Sequence, residues 1–279
     1  MSTAARGAGE AAYDPRVALE FFKAAGTPEK IAQGTTIFAE QEKKRLFKRS
    51  NMYLLLAGKV DLIAGKKTIG AVKPGEIFGE LAAIAQTPRS ATAVAATECK
   101  VIALDGKELE AALRKQPGFA LMLMSVMIRR LRETIQALEA SGALSPDSAA
   151  NEGAAFDPKH LAKLVRGVSD DPPVYFDRGR PIILAGQPGL RMYVVTEGRV
   201  TVAIGEQIVE RLGPGGVFGE AALVEQSTRL ASASAETDCA LLPISRDAFL
   251  ALVKTSPGFA ESMLGSLAGR LRFLTSRLK

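Results

Sequence analysis

The 279-residue sequence predicts a mainly β fold with helices. It reads as two tandem small β-barrels of jelly-roll type, each flanked by an N-terminal helix and a long C-terminal helix. Three observations carry that prediction. The chain repeats itself at a fixed spacing, each repeat is a series of short β-rich runs punctuated by turn glycines, and each repeat closes on a segment of helical period.

The repeat is plain once aligned. MYLLLAGKV from Met52 is answered by MYVVTEGRV from Met192, and PGEIFGE from Pro74 by PGGVFGE from Pro214. The offset of 140 residues holds without a gap from Met52/Met192 to Arg132/Arg272. It takes in Arg89/Arg229, Cys99/Cys239, the PGFA runs at 117 and 257, and the RLR runs at 130 and 270. Each copy opens on Asp followed by Pro, Asp14-Pro15 and Asp157-Pro158, an N-cap and first helical position. Turns follow at Gly58/Gly198, Gly65/Gly205 and Pro74-Gly75/Pro214-Gly215. From Ala91 to Ala103 every second residue is small or apolar, which predicts a half-buried strand pair holding Cys99 on its inner face, with Cys239 matching it. Both cysteines read as buried structural thiols.

Helical period then takes over. Leu121, Met124, Ile128, Leu131, Ile135 and Leu138 follow the spacing of a short coiled-coil seam, open to packing on its own barrel or to pairing with another helix as a homodimer. The boundaries drawn from these signals are a tail at 1–11, a first domain at 12–141, an aperiodic linker at 142–154 and a second domain at 155–279. One insertion is visible: the basic run Lys43 to Arg49, which reads as a solvated loop or as a contact for a partner, an acidic surface or a membrane headgroup.

Composition excludes several chemistries. The single histidine, His160, reads as a surface or capping residue and cannot build a multi-histidine metal site. Two cysteines fall short of a Cys₄ zinc site or an iron–sulfur cluster, so no metal and no cofactor is expected. No signal peptide or membrane-length apolar run appears, and a cytoplasmic location is expected. The net charge of +6 fits either nucleic-acid binding or a basic surface with anion-binding arginines.

Chemistry concentrates in Phe78-Gly79-Glu80-Leu81-Ala82 and, nine residues after Glu80, Arg89-Ser90-Ala91. Gly79 permits close backbone approach, and a helix starting there aims free N–H groups at an anion. Arg89 is a permanently charged fork suited to phosphate. An ionised carboxylate accepts hydrogen bonds only, so Glu80 beside a phosphate site suits a sugar hydroxyl. A sugar with one phosphate means a nucleotide. The competing reading is a surface ion pair between Glu80 and Arg89, worth ~0–1 kcal/mol.

The segment FGELAAIAQTPRSAT resembles the phosphate-binding cassette of the cyclic-nucleotide-binding domain family, which includes the bacterial catabolite activator protein and the regulatory subunits of protein kinase A. The second copy, FGEAALVEQSTRLAS, keeps Phe218, Gly219, Glu220, Ala222, Arg229 and Ala231, with Ala221 and Leu230 between them. The resemblance implies that Glu80 and Glu220 hold a ribose hydroxyl, that Arg89 and Arg229 hold the cyclic phosphate, and that Gly79 and Gly219 supply backbone donors. It also implies that Thr134, in the run RRLRET, touches the base. Neither Ser90 nor Leu230 is the threonine often found in guanine-selective members, so cyclic AMP is favoured and cyclic GMP is the alternative. Lys279 follows Arg272 too closely for a helix-turn-helix, so no direct DNA binding is expected. No catalytic motif appears. The resulting expectation is a receptor, not an enzyme, acting through an effector protein. The alternative is a tandem-barrel scaffold with degenerate pockets.

Overall fold

A computed structural model of the chain describes residues 14–42, 50–142, 150–152, 156–167 and 171–278. The basic run Lys43 to Arg49 lies outside them, as does the side chain of His160. The chain divides into two compact units, Tyr13–Phe119 and Ala120–Leu278.

The first copy opens with α1 (Pro15–Ala25), whose N-cap Asp14 accepts from the Arg16 amide, with proline at the first position. Strands β1 (Thr27–Ile31), β2 (Thr36–Phe38), β3 (Met52–Ala57), β4 (Val60–Ala64), β5 (Lys67–Val72) and β6 (Ile77–Phe78) lead to a short helix, α2 (Glu80–Ala85). Strands β7 (Thr92–Ala95) and β8 (Cys99–Leu104) precede α3 (Gly106–Lys115) and the long α4 (Pro117–Ser141). The strands form two antiparallel sheets, ordered β1-β8-β3-β6 and β2-β7-β4-β5, that close on one core. Cys99, Val101 and Ala103 face that core as the alternation predicts.

The second copy repeats the plan. After β9 (Asn151–Glu152) and α5 (Pro158–Arg166) come β10 (Val174–Phe176), β11 (Pro181–Ile183), β12 (Arg191–Glu197), β13 (Val200–Ile204), β14 (Gln207–Leu212) and β15 (Val217–Phe218). The short α6 (Glu220–Glu225), β16 (Ser232–Ala235), β17 (Cys239–Ser245), α7 (Arg246–Thr255) and α8 (Pro257–Ser276) complete it. Its sheets run β10-β17-β12-β15 and β11-β16-β13-β14-β9. Even the irregularities repeat: the register of β3 shifts between Leu55 and Ala57, and that of β12 between Val195 and Glu197. The turn glycines Gly58 and Gly198 have φ of +94° and +76°, and a Cβ there would meet the Glu98 and Asp238 carbonyls at 2.3 and 2.1 Å.

The PGFA runs acquire a reason from packing. Phe119 stacks on Phe21 and meets Phe22 edge-on, so the first copy's opening helix is anchored where its last one begins, while Phe259 packs on Phe249 and on Phe156 just ahead of α5.

One expectation changes. The linker is not wholly without regular structure, because Asn151 and Glu152 add a parallel strand to β14 at Glu210 and Arg211. Two residues are too short to leave a period in the sequence. Of the seam residues, Met124, Ile128, Leu131, Ile135 and Leu138 are buried and Leu121 is half-buried.

Candidate functional site

Both cassettes are built the same way. The chain leaves β6 or β15 through a left-handed glycine, Gly79 at φ +76° or Gly219 at φ +85°, which N-caps the six-residue helix. That helix ends on a second left-handed residue, Gln86 or Gln226. The glycines are needed twice over, since a Cβ would also lie 2.9 Å from Arg89 Nη1 and 2.6 Å from Arg229 Nη1.

The arginines fold back under this turn. Arg89 Nη1 donates to the Gly79 carbonyl and Nη2 to the Asn51 carbonyl, each at 2.8 Å. Arg229 does the same with Gly219 at 2.7 Å and Arg191 at 2.6 Å. The surface ion-pair reading of Glu80 and Arg89 fails, because Glu80, Arg89, Glu220 and Arg229 are all buried. Burial pulls the pKa of both guanidiniums below its usual value. Arg229 makes no close ion pair among the described residues, although the Glu220 charge partly offsets its burial, and its Nε is buried without a hydrogen bond. The two environments differ in one respect: Arg89 sits 4.0 Å over the Phe38 ring, whereas the strand position paired like Phe38 carries Ile183 in the second copy.

In the second copy the cassette opens on a cleft. Phe218, Gly219, Glu220, Ala221, Ala222, Arg229, Leu230 and Ala231 all line it. In the first copy Phe78, Glu80, Ala82, Arg89 and Ala91 are buried around the matching turn, with Leu81 and Ser90 half-buried. Thr134 lies half-buried on α4, in the stretch that belongs to the second unit, and is not part of that cleft's lining.

Sequence reasoning missed the polar heart of this cleft. Arg270 on α8 donates from Nη1 to Glu220 at 2.7 Å, from Nε to Glu210 at 2.9 Å, and from Nη2 to the Val217 carbonyl. The three side chains are only 13%, 5% and 8% exposed for Arg270, Glu220 and Glu210. Burial raises the pKa of Glu210, with Arg270 opposing and Glu220 adding to the rise. Burial acts to lower that of Arg270, but the two carboxylates outweigh it and push it above the usual arginine value. Asn151 of β9 donates to Glu210 at 3.2 Å. The repeated RLR run could have flagged Arg270; Glu210 had no signal, since its counterpart in the first copy is Gly70.

Among the described residues no group of three or more His, Cys, Asp and Glu side chains is placed to hold a metal ion, and no helix is long and apolar enough to cross a membrane. Both cysteines are free and buried.

A half-buried left-handed glycine, a short helix and a folded-back arginine recur in both copies as one tandem module. The family model described as the cyclic nucleotide-binding domain matches residues 28–116 and 173–256, and the chain belongs to that family, in two copies. The chain is 29% identical over 127 residues to a CRP-like cAMP-activated global transcriptional regulator of Mycobacterium tuberculosis, covering 44% of this chain and 55% of the relative. It is 37% identical over 102 residues to a cyclic AMP receptor protein of Thermus thermophilus, covering 35% and 47%. It is 28% identical over 202 residues to a cAMP-dependent protein kinase regulatory subunit of Eremothecium gossypii, covering 72% and 39%. The chain thus spans about half the length, or less, of these curated relatives.

Proposed function

We propose that the chain is a receptor for cyclic nucleotide, cyclic AMP in preference to cyclic GMP, which passes occupancy to a protein partner as a change of shape and catalyses nothing itself. The observation that carries the reading is the buried charge of Arg229. Its two terminal nitrogens are held on backbone carbonyls, its Nε is unused, and the neighbouring carboxylate of Glu220 is taken by Arg270. A buried cation whose nearest carboxylate is hydrogen-bonded to another arginine is costly to keep in an open cleft, and a phosphate is the anion its fork fits. The nonpolar remainder of the cleft suits a planar base. Preference for cyclic AMP is supported by the similarity to cyclic-AMP-responsive relatives and by the lack of a threonine at Ser90 and Leu230. Calorimetric titration tests it: up to two sites are expected, with cyclic AMP bound at least as tightly as cyclic GMP. No heat and no thermal shift with either nucleotide at ~1 mM, an affinity floor of about 4 kcal/mol, refutes the receptor.

A further inference from the structure

The cleft of the second copy is not walled by the second copy alone. Leu131 and Ile135, from the terminal helix of the first repeat, line it together with Ile204, Val209 and Leu274 of the second. Leu131 and Ile135 stand four residues apart on one face of α4, so a single helical turn presents both. The residue between their rows fixes the helix to the cassette. Arg132 Nη2 donates to Glu225 Oε2 at 2.8 Å and to Ser227 Oγ at 2.9 Å, and Ser227 Oγ donates in turn to Glu225 at 3.4 Å. Glu225 is the last residue of α6, and Ser227 stands two residues before Arg229.

This contact is written into one cassette only. At the offset of 140, Glu225 corresponds to Ala85 and Ser227 to Thr87, so the first cassette has no carboxylate at this position. Arg132 and Glu225 are 31% and 19% exposed, which places the pair at a partly desolvated rim where geometry, rather than long-range attraction, decides its worth.

We infer that the second site takes part of its wall from the first repeat: Leu131 and Ile135 cover the apolar part of a bound nucleotide, and Arg132 positions them by gripping Glu225 and Ser227. This deepens the proposed function and rests on it. Because ligand and helix share a surface, occupancy of the second site and the placement of α4 are linked, each favouring the other by the same factor. The first repeat's helix is therefore a sensor of the second repeat's ligand.

The test uses the whole chain carrying Arg89→Ala, so that only the second site titrates with cyclic AMP. Ile135→Ala and Arg132→Ala are each expected to weaken that site about fivefold, the effect of losing one side chain's worth of apolar contact or its positioning. Arg132→Ala with Glu225→Ala is expected to be no worse than either alone, because both remove one contact. In a chain carrying Arg229→Ala instead, Ile135→Ala and Arg132→Ala leave the first site's affinity unchanged, which separates a wall from general loosening of the fold. Second-site affinity that stays within twofold for both substitutions overturns the inference while leaving the receptor standing. A parent chain that binds neither nucleotide overturns both. Hydrogen exchange on the otherwise unsubstituted chain gives a reading that needs no Arg89→Ala protein. Saturating cyclic AMP is expected to slow exchange across 129–136, and Arg229→Lys to remove more of that protection than Arg89→Lys. Absence of protection, or protection untouched by Arg229→Lys, overturns the inference.

Discussion

Arg270→Met is the substitution whose consequence the structure specifies most fully. Methionine keeps much of the stem's bulk but withdraws three donors from a site where Glu210 and Glu220 are almost wholly buried. Removing one partner of a buried charge cluster costs about 3–5 kcal/mol, because the remaining charges stay desolvated and unpaired. Here two like charges are also left facing one another. The pH dependence follows from Glu210, whose pKa burial already raises above its ordinary 4.5. A group with a raised folded-state pKa favours folding when protonated, and that contribution disappears as pH climbs through the raised value. Without Arg270 the cation that opposes the rise at Glu210 is gone. The difference between variant and parent is therefore expected to be small near pH 4 and to grow to about 3–5 kcal/mol by pH 8. Hydrogen exchange of the β17 amides, read across pH at moderate urea, reports the opening of the second barrel alone. A loss below ~1 kcal/mol at pH 8, or one independent of pH, refutes the assignment of Arg270 as the neutralising partner. Glu210→Gln added to Arg270→Met should restore part of the loss, since it removes one of the stranded charges.

Three other outcomes are expected. Arg89→Lys should weaken the first site by at least ~1.4 kcal/mol, tenfold, because an ammonium cannot keep both the Gly79 and Asn51 carbonyls and still face a phosphate; calorimetry showing an unchanged first site removes Arg89 from the binding reading. Gly219→Ala should destabilise the second copy by more than Gly205→Ala, although both have positive φ, because only at Gly219 does the new Cβ meet Arg229 Nη1. Equal losses on denaturation would show that backbone strain alone requires the glycine. Cys99 and Cys239 are buried, and burial raises the Cys239 thiol's pKa, with Asp238 adding to the rise. Neither should react with a thiol reagent until the chain unfolds, and rapid labelling of the folded protein contradicts their placement.

The repeat, the barrels, the flanking helices and the cassette were all legible in the amino-acid sequence. Each is a local pattern: alternation in a strand, a glycine at a turn that needs positive φ, a proline after an N-cap, a glutamate nine residues before an arginine. Such signals survive in one dimension because the atoms that give them meaning are neighbours along the chain. The side-chain chemistry around the cassette was not legible in this way. Arg270 meets Glu210 and Glu220 across separations of 60 and 50 residues, and Arg132 meets Glu225 across 93. The apolar seam on α4 established that one face of that helix is buried, yet a period records only that a face is covered. The cover over Leu131 and Ile135 proved to be the cleft of the second repeat, which neither sequence reading of the seam had named. That choice belongs to tertiary structure, because apolar side chains are satisfied by any well-packed surface, and it is tertiary packing that sets Arg132 against Glu225.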